Sequence, residues 1–173
     1  ERRNAVRQLL RHGGFKPSGR SKPAQEYLLR AAIDEGALPS INNVVDAINV
    51  LSLDSGLPIS LVALQRLGSQ ALIRYGAAGE RFVFNRGGQE IDLEGLLCTC
   101  GTNAQQSTPV GSPVKDSLLG KVQEGDRQML ACIYAPRSAL TPDEMRSWAK
   151  QLGEAFVRWC GASQFESSLV PNT

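Results

Sequence analysis

The sequence predicts an α+β (mixed α/β) fold, in which a mixed β-sheet surrounds a buried central helix and a C-terminal helix packs on it. Three observations lead there. A run from Asn42 to Leu53 is apolar on more than one stripe. Short β-forming segments crowd the stretch from Ala71 to Cys100 and return at Gln128–Tyr134. Thr141 opens a long capped helix. With 173 residues and 42% hydrophobic content the chain can bury one sizeable core, so residues 1–173 are expected to form a single domain.

The first element is a helix over residues 2–12, with Ala5, Val6, Leu9 and Leu10 facing inward. Arg3, Arg7 and Arg11 recur on its outer side at a spacing where like charges repel, so they form either a solvated face or a track for phosphates. Gly13-Gly14 ends the helix, and His12, the sole histidine, reads as a surface residue. GFKPSGRSKP (residues 14–23) is a loop leading into a helix that runs to about Glu35, with Ser21 as its cap, Pro23 in its first turn and Gly36 as its stop. Lys16, Ser18, Arg20, Ser21 and Lys22 bring cations and hydroxyls to that helix N-terminus, an arrangement that holds a phosphate or carboxylate. An ordinary Pro/Gly connector is the alternative, and the Walker pattern is absent.

The centre of the chain is GALPSINNVVDAINVLSLDSGLPISLVAL, from Gly36 to Leu64. Asn42 or Asn43 caps a helix whose apolar residues Val44, Val45, Ala47, Ile48, Val50, Leu51 and Leu53 predict burial on most sides. Asp46, Asn49 and Ser52 interrupt it along one line of its surface. Buried polar groups need partners, so this line either staples neighbouring loops or faces a pocket. Gly56-Leu57-Pro58 then turns the chain and leaves the Ser60 hydroxyl just past a tight bend.

Leu61–Leu67 reads as a short helical turn, Ala71–Tyr75 as a strand, and Gly76–Glu80 as a turn. Arg81–Asn85 and Gln89–Leu93 form a hairpin about Arg86-Gly87-Gly88, and Leu96–Cys100 is a further strand. Thr102–Lys121 is expected to be an ordered polar loop containing TPVGSPVKDS, with Lys115-Asp116 at its end. Loops carry sites more often than scaffolds do, and a solvated turn is the alternative. Gln128–Tyr134 is a strongly apolar strand expected at the centre of the sheet. Thr141-Pro142-Asp143-Glu144 has the cap, the first-turn proline and the capping-box glutamate of a helix start. Met145, Trp148, Ala149, Leu152, Phe156 and Trp159 give that helix a stripe expected to face the sheet, and Ser163–Val170 is expected to add an edge strand.

The net charge of +2 conceals an asymmetry: residues 1–30 hold eight Lys/Arg against Glu1 and Glu26, and the remainder is net acidic. One basic pole favours a localised anionic partner over a whole-surface polyanion binder, so no DNA is expected. The four cysteines (Cys98, Cys100, Cys132, Cys160) lack disulfide-framework or metal-ligand spacing, which points to buried thiols in a reducing, cytoplasmic setting and to no metal. No apolar run reaches the roughly 18 residues of a membrane span, and no organic cofactor motif is visible. The chain begins at Glu1 and its first methionine is Met129, so a natural N-terminal segment is expected to be missing.

The order I-x-N-V-V-D-x-x-N (Ile41–Asn49), then G-x-P-I (Gly56–Ile59), then LIRYGAAGERFVFNRGGQEIDLEGLL (residues 72–97) resembles the B3/B4 editing domain of the phenylalanyl-tRNA synthetase beta chain. The resemblance is good over residues 36–97 and weak elsewhere, and the opening GFKPSGRSKPA is similar to free-standing members. It implies a tRNA partner, met at its acceptor end, and hydrolysis of a wrongly attached amino acid; the synthetase module removes tyrosine. Four positions depart from the family pattern. Ser60 stands where the family has His, about Pro39 where it has Arg, about Ala131 where it has the pocket Glu, and GSPVKDS replaces a Gly-Gly loop. The scaffold matches and the tyrosine-reading contacts do not, so tyrosine specificity does not carry over.

The residues themselves offer no Ser–His–Asp set and no evident carboxylate pair, so any reaction must need little help. An aminoacyl ester on a terminal ribose qualifies, because it is already activated and the neighbouring hydroxyl can assist. The protein need only hold the end, orient a water and stabilise an oxyanion, each donor contributing about 3 kcal/mol. The leading reading is therefore a tRNA-binding domain that hydrolyses a mischarged aminoacyl-tRNA in trans. In it Lys16, Ser18, Arg20, Ser21 and Lys22 grip phosphate, and Asn42, Asn49 and Ser52 line the substrate pocket. Ser60, Lys115 and Asp116 carry the chemistry, with Lys115 as an oxyanion or phosphate contact. The alternative is a non-catalytic module that binds RNA or a small anion, having lost the editing residues. A synthetase is a further partner to consider, and a membrane is not.

Overall fold

The structure, a computed structural model, describes residues 1–103 and 106–170. Its elements are the helices α1 (Arg2–Arg11), α2 (Ala24–Glu35), α3 (Asn43–Ser55) and α4 (Pro142–Cys160), and the strands β1 (Ile59–Ala63), β2 (Gln70–Tyr75), β3 (Arg81–Val83), β4 (Glu90–Asp92), β5 (Leu97–Asn103), β6 (Gln106–Gly111) and β7 (Met129–Ile133). The α+β class is as predicted. The strands are divided among three antiparallel ladders, β1–β7, β2–β5–β6 and β3–β4, where one mixed sheet was expected. β7 accordingly pairs with β1 alone among the described residues, not at the centre of a wide sheet.

Asn42 caps α3 by accepting the Val45 amide at 2.9 Å, and Gly56 ends it at φ 67°, a left-handed conformation in which a side chain would be strained. Ala47, Ile48, Leu51, Ser52 and Ser55 form its buried face. The prediction of burial on most sides is too strong, because Val50 is 52% exposed and the helix hides one broad side between α2, α4 and β1. Ile48 and Leu51 pack with Ile59 and Leu61 of β1 and Leu152 of α4. A second cluster joins Val6 and Leu10 of α1 to Phe15, Leu57, Leu96, Cys98, Cys100 and Val114. Truncating a fully buried leucine such as Leu10 removes roughly 2–5 kcal/mol of stability.

The polar line on α3 acts as a set of staples. Asp46 accepts from the Ser40 hydroxyl at 2.7 Å and the Ile41 amide at 2.8 Å, and the Ser52 hydroxyl donates to the Leu57 carbonyl at 2.6 Å. Both loops flanking the helix are tied to it in this way.

Three further expectations need correction. Residues 59–63 are a strand, and the helical turn is a short 3-10 segment, Leu64–Arg66; Ile-Ser-Leu-Val-Ala is buried throughout and finds a ladder partner in β7. The loop expected over Thr102–Lys121 contains the end of β5 and all of β6, so the loop itself begins only after Gly111. Ser163–Val170 adds no strand, because the Phe165 ring folds back over Gly153 of α4. On α4 the capping box forms as predicted, with the Thr141 amide donating to Glu144 at 2.7 Å and the Glu144 amide to Thr141 at 3.3 Å. Leu152 is buried, and Trp148 and Phe156 pack against the core, but Trp159 is 59% exposed and lies outside it.

The arginine row of α1 is an internal tie. Arg7 donates to both Glu26 oxygens of α2 at 2.6 and 2.7 Å, and Arg3 adds a contact at 3.2 Å. Only 6% of the Glu26 side chain is exposed, so burial pushes its pKa up. The Arg7 hydrogen bonds, with the charges of Arg7 and Arg3, outweigh that and hold it below the usual glutamate value. No helix among the described residues is long and apolar enough to cross a membrane. Because the folded-state pKa of Glu26 is depressed, its stabilisation is present above the ordinary glutamate range and is lost as pH falls through the folded value. Glu26→Gln should lower the unfolding free energy at neutral pH by about 1.5–3 kcal/mol, measured by urea denaturation. The gap from the parent should shrink as the pH is taken below 4.5.

Candidate functional site

The site is built around the loop Ser112–Ser117, which follows β6. Its shape is set locally: the Ser112 hydroxyl accepts from the Val114 and Lys115 amides at 3.2 and 3.1 Å and donates to the Lys115 carbonyl at 2.7 Å. Its position is set by three neighbours. The Pro113 carbonyl accepts the Ala24 amide at the start of α2 at 2.9 Å, and the Leu118 amide just beyond donates to Val83 of β3 at 2.7 Å. Asp116 reaches β1, where one carboxylate oxygen accepts the Ser60 hydroxyl at 2.5 Å and the other accepts the Leu61 amide at 3.1 Å.

Burial pushes the Asp116 carboxyl up to about 6, against the hydrogen bonds from Ser60, Leu61 and Ser112 and the charge of Lys121, which favour its ionised form. The folded chain thus binds this proton more tightly than the unfolded one, and lowering the pH through 6 stabilises the fold at this group, the reverse of Glu26. A carboxyl poised near neutrality with defined donors can exchange a proton with a reacting group.

The Lys115 ammonium lies 4.5 Å from the centroid of the Tyr27 ring and 5.4 Å from that of Phe84. Burial and the nearby Lys121 lower its pKa. Among the described residues Lys115 forms no salt bridge. Behind Ser60, which is 1% exposed, stand Cys132, its partner across the β1–β7 ladder, and a buried bond of 2.7 Å between Thr99 and the Tyr134 hydroxyl. Burial raises the pKa of both Cys132 and Tyr134, and the Asp116 charge adds to each. Thr99 and Tyr134 were not among the sequence-predicted site residues. The signal they left was a hydroxyl within otherwise apolar strand-forming runs.

The predicted anion loop divides in two. Lys16 and Ser18 border a hollow of about 390 Å³ with Arg11 and Phe15. Arg20 and Lys22 border a second one of about 430 Å³, whose wall includes Tyr27, Glu26 and Arg3. The Tyr27 hydroxyl donates to the Gly19 carbonyl at 3.3 Å. Ser21 closes the 3-10 turn Gly19–Ser21; α2 has Pro23 at its cap position, so Ser21 does not cap that helix.

The structure therefore joins Ser60 to Asp116 and places the Lys115 ammonium on the Tyr27 ring; Tyr27 in turn borders the hollow of Arg20 and Lys22, which Ser60, Lys115 and Asp116 do not. The three residues expected to line a substrate pocket do not join them. Asn42 is a helix cap, the Ser52 hydroxyl is bound to a backbone carbonyl, and Asn49 is half-buried on α3; none borders either hollow.

The family model described as the B3/4 domain matches residues 16–135. That span runs from the basic loop to just past β7 and takes in the whole of Ser112–Ser117, leaving α1 and α4 outside. No curated protein matches the chain.

Gly111 leaves the space that the Ser60–Asp116 pair occupies, since a Cβ there would fall on the Ser60 hydroxyl and 3.0 Å from the Asp116 carboxylate. Gly111→Ala should destabilise the protein by about 1–3 kcal/mol. Adding Ser60→Ala should recover part of that loss in a double-mutant cycle read by urea unfolding.

Proposed function

The chain belongs to the B3/4 domain family, and on that premise we propose that it binds the acceptor end of a tRNA and hydrolyses an aminoacyl ester carried there. The observation that carries this reading is the loop Ser112–Ser117, whose Asp116 carboxyl, held by the Ser60 hydroxyl, is raised to about 6 and whose Lys115 ammonium lies on the Tyr27 ring without a salt bridge among the described residues. The ionised carboxylate takes a proton from water as the water oxygen attacks the ester carbonyl. The Lys115 charge favours the oxyanion that forms, and Asp116 returns its proton to the ribose oxygen as the acyl–oxygen bond breaks, releasing the free amino acid and the ribose hydroxyl. Ser60 holds Asp116 by donating its hydroxyl, so it is a positioning residue. Lys16, Ser18, Arg20, Ser21 and Lys22 form the side from which the phosphates approach.

A second reading is favoured by the 1% exposure of Ser60. A pair this enclosed also serves as a staple, in which case the chain binds RNA or a small anion without turnover.

A panel of aminoacyl-tRNAs offered to the purified protein separates the two. Hydrolysis predicts release of amino acid from at least one member, at a rate that climbs as the pH is raised through about 6 and Asp116 ionises. Asp116→Asn should cut that rate by about 10²–10⁴-fold with tRNA binding retained. Arg20→Ala should weaken binding to all tRNAs alike and reduce its salt dependence. Binding without release from any member would contradict hydrolysis and leave the binding reading.

A further inference from the structure

The hollow bordered by Arg20 and Lys22 has an aromatic wall as well as a basic rim. Tyr27 lines it, and the Lys115 ammonium, 4.5 Å from the centroid of the same ring, does not. The ring thus touches both the hollow and the Lys115 cation. Its hydroxyl is tied to the Gly19 carbonyl at 3.3 Å, within the turn that carries Arg20. Of the cations in the wall, Arg3 is paired with Glu26 and Arg30 with Asp34, whereas Arg20 and Lys22 form no salt bridge among the described residues. Leu29 and Ile33, which are 45% and 72% exposed, extend the same wall as apolar surface.

We infer that Tyr27 is a stacking platform for one unpaired nucleobase, with the adjoining phosphate held by Arg20 and Lys22. This rests on the RNA-binding reading above and narrows it: the hollow takes a single-stranded end, not a duplex. Every base has a π face, and a positioned aromatic ring with neighbouring cations is how single strands are held without sequence readout. A base inside a duplex has both faces stacked on its neighbours and cannot present one to Tyr27, whereas an unpaired base presents either. The Lys115 cation packs on the same ring, and Leu29 and Ile33 give the hollow apolar surface for the edge of the base.

The test uses a hairpin RNA with a single-stranded 3′ tail ending in 2-aminopurine, and the same hairpin with a blunt end. The wild-type chain should bind the tailed RNA about tenfold more tightly and quench the 2-aminopurine on binding. Tyr27→Leu should lose both the preference and the quench, its affinity for the tailed RNA falling to that for the blunt hairpin. Tyr27→Phe should keep them, since it retains the ring, and thermal melts of both variants check that the fold is intact. If both variants instead keep the preference and the quench, the platform is overturned while RNA binding stands. Equal wild-type affinity for the two hairpins, without quenching, also overturns it. Wild-type protein that binds neither hairpin overturns the RNA reading itself.

Discussion

The Asp116 carboxylate, fixed between the Ser60 hydroxyl and the Leu61 amide, is the contact on which the loop Ser112–Ser117 and its neighbours depend. It pins the loop Ser112–Ser117 to β1, and through the Pro113 carbonyl the same loop receives the first amide of α2. A loop fastened to both a buried strand and a helix start has little freedom. Lys115 is thereby carried to the Tyr27 ring, and the basic turn Gly19–Ser21 is joined to the loop through Tyr27. Desolvation of the carboxyl works against this anchor when it is ionised, and only its donors offset that. The same group is thus a structural tether whose carboxyl burial pushes up to about 6.

Charge on this molecule divides into structural and free. Arg3 and Arg7 bind Glu26, Arg66 binds Asp126, and Arg74 binds Glu80, all from within or between elements of the fold. Those arginines hold α1 on α2 and tie loops to strands. Arg11, Lys16, Arg20 and Lys22 form no salt bridge among the described residues and border the two hollows. The basic pole seen in the composition is therefore smaller than a count of residues implies, and it is concentrated at the end of α1 and in the loop before α2.

Elements with strong local chemistry were legible in the sequence. The Asn42 cap, the Thr141 capping box, the Gly36 stop and the turn at Gly56 appear as read, because each is decided by residues a few positions apart. Elements decided by distant partners were not. β1 is a strand because β7 lies beside it, and nothing within Ile-Ser-Leu-Val-Ala distinguishes that from a helical turn. Trp159 fits the stripe of α4 by spacing, yet it lies beyond the core the stripe covers. At the candidate site, the sequence singled out Ser60 as a hydroxyl just past a bend and Lys115-Asp116 as the end of a polar loop. The use of Ser52 as a staple, of Tyr27 as a wall and of Thr99 with Tyr134 behind the site depends on tertiary neighbours that spacing does not reveal.

The most direct test of this account is the titration of the Asp116 carboxyl, followed by carbon-13 NMR in the free protein and assigned with Asp116→Asn. The account predicts a midpoint of about 6, moving higher in Ser60→Ala as the hydroxyl donor is lost. A midpoint near the ordinary aspartate value of 3.8, unmoved by Ser60→Ala, would contradict it.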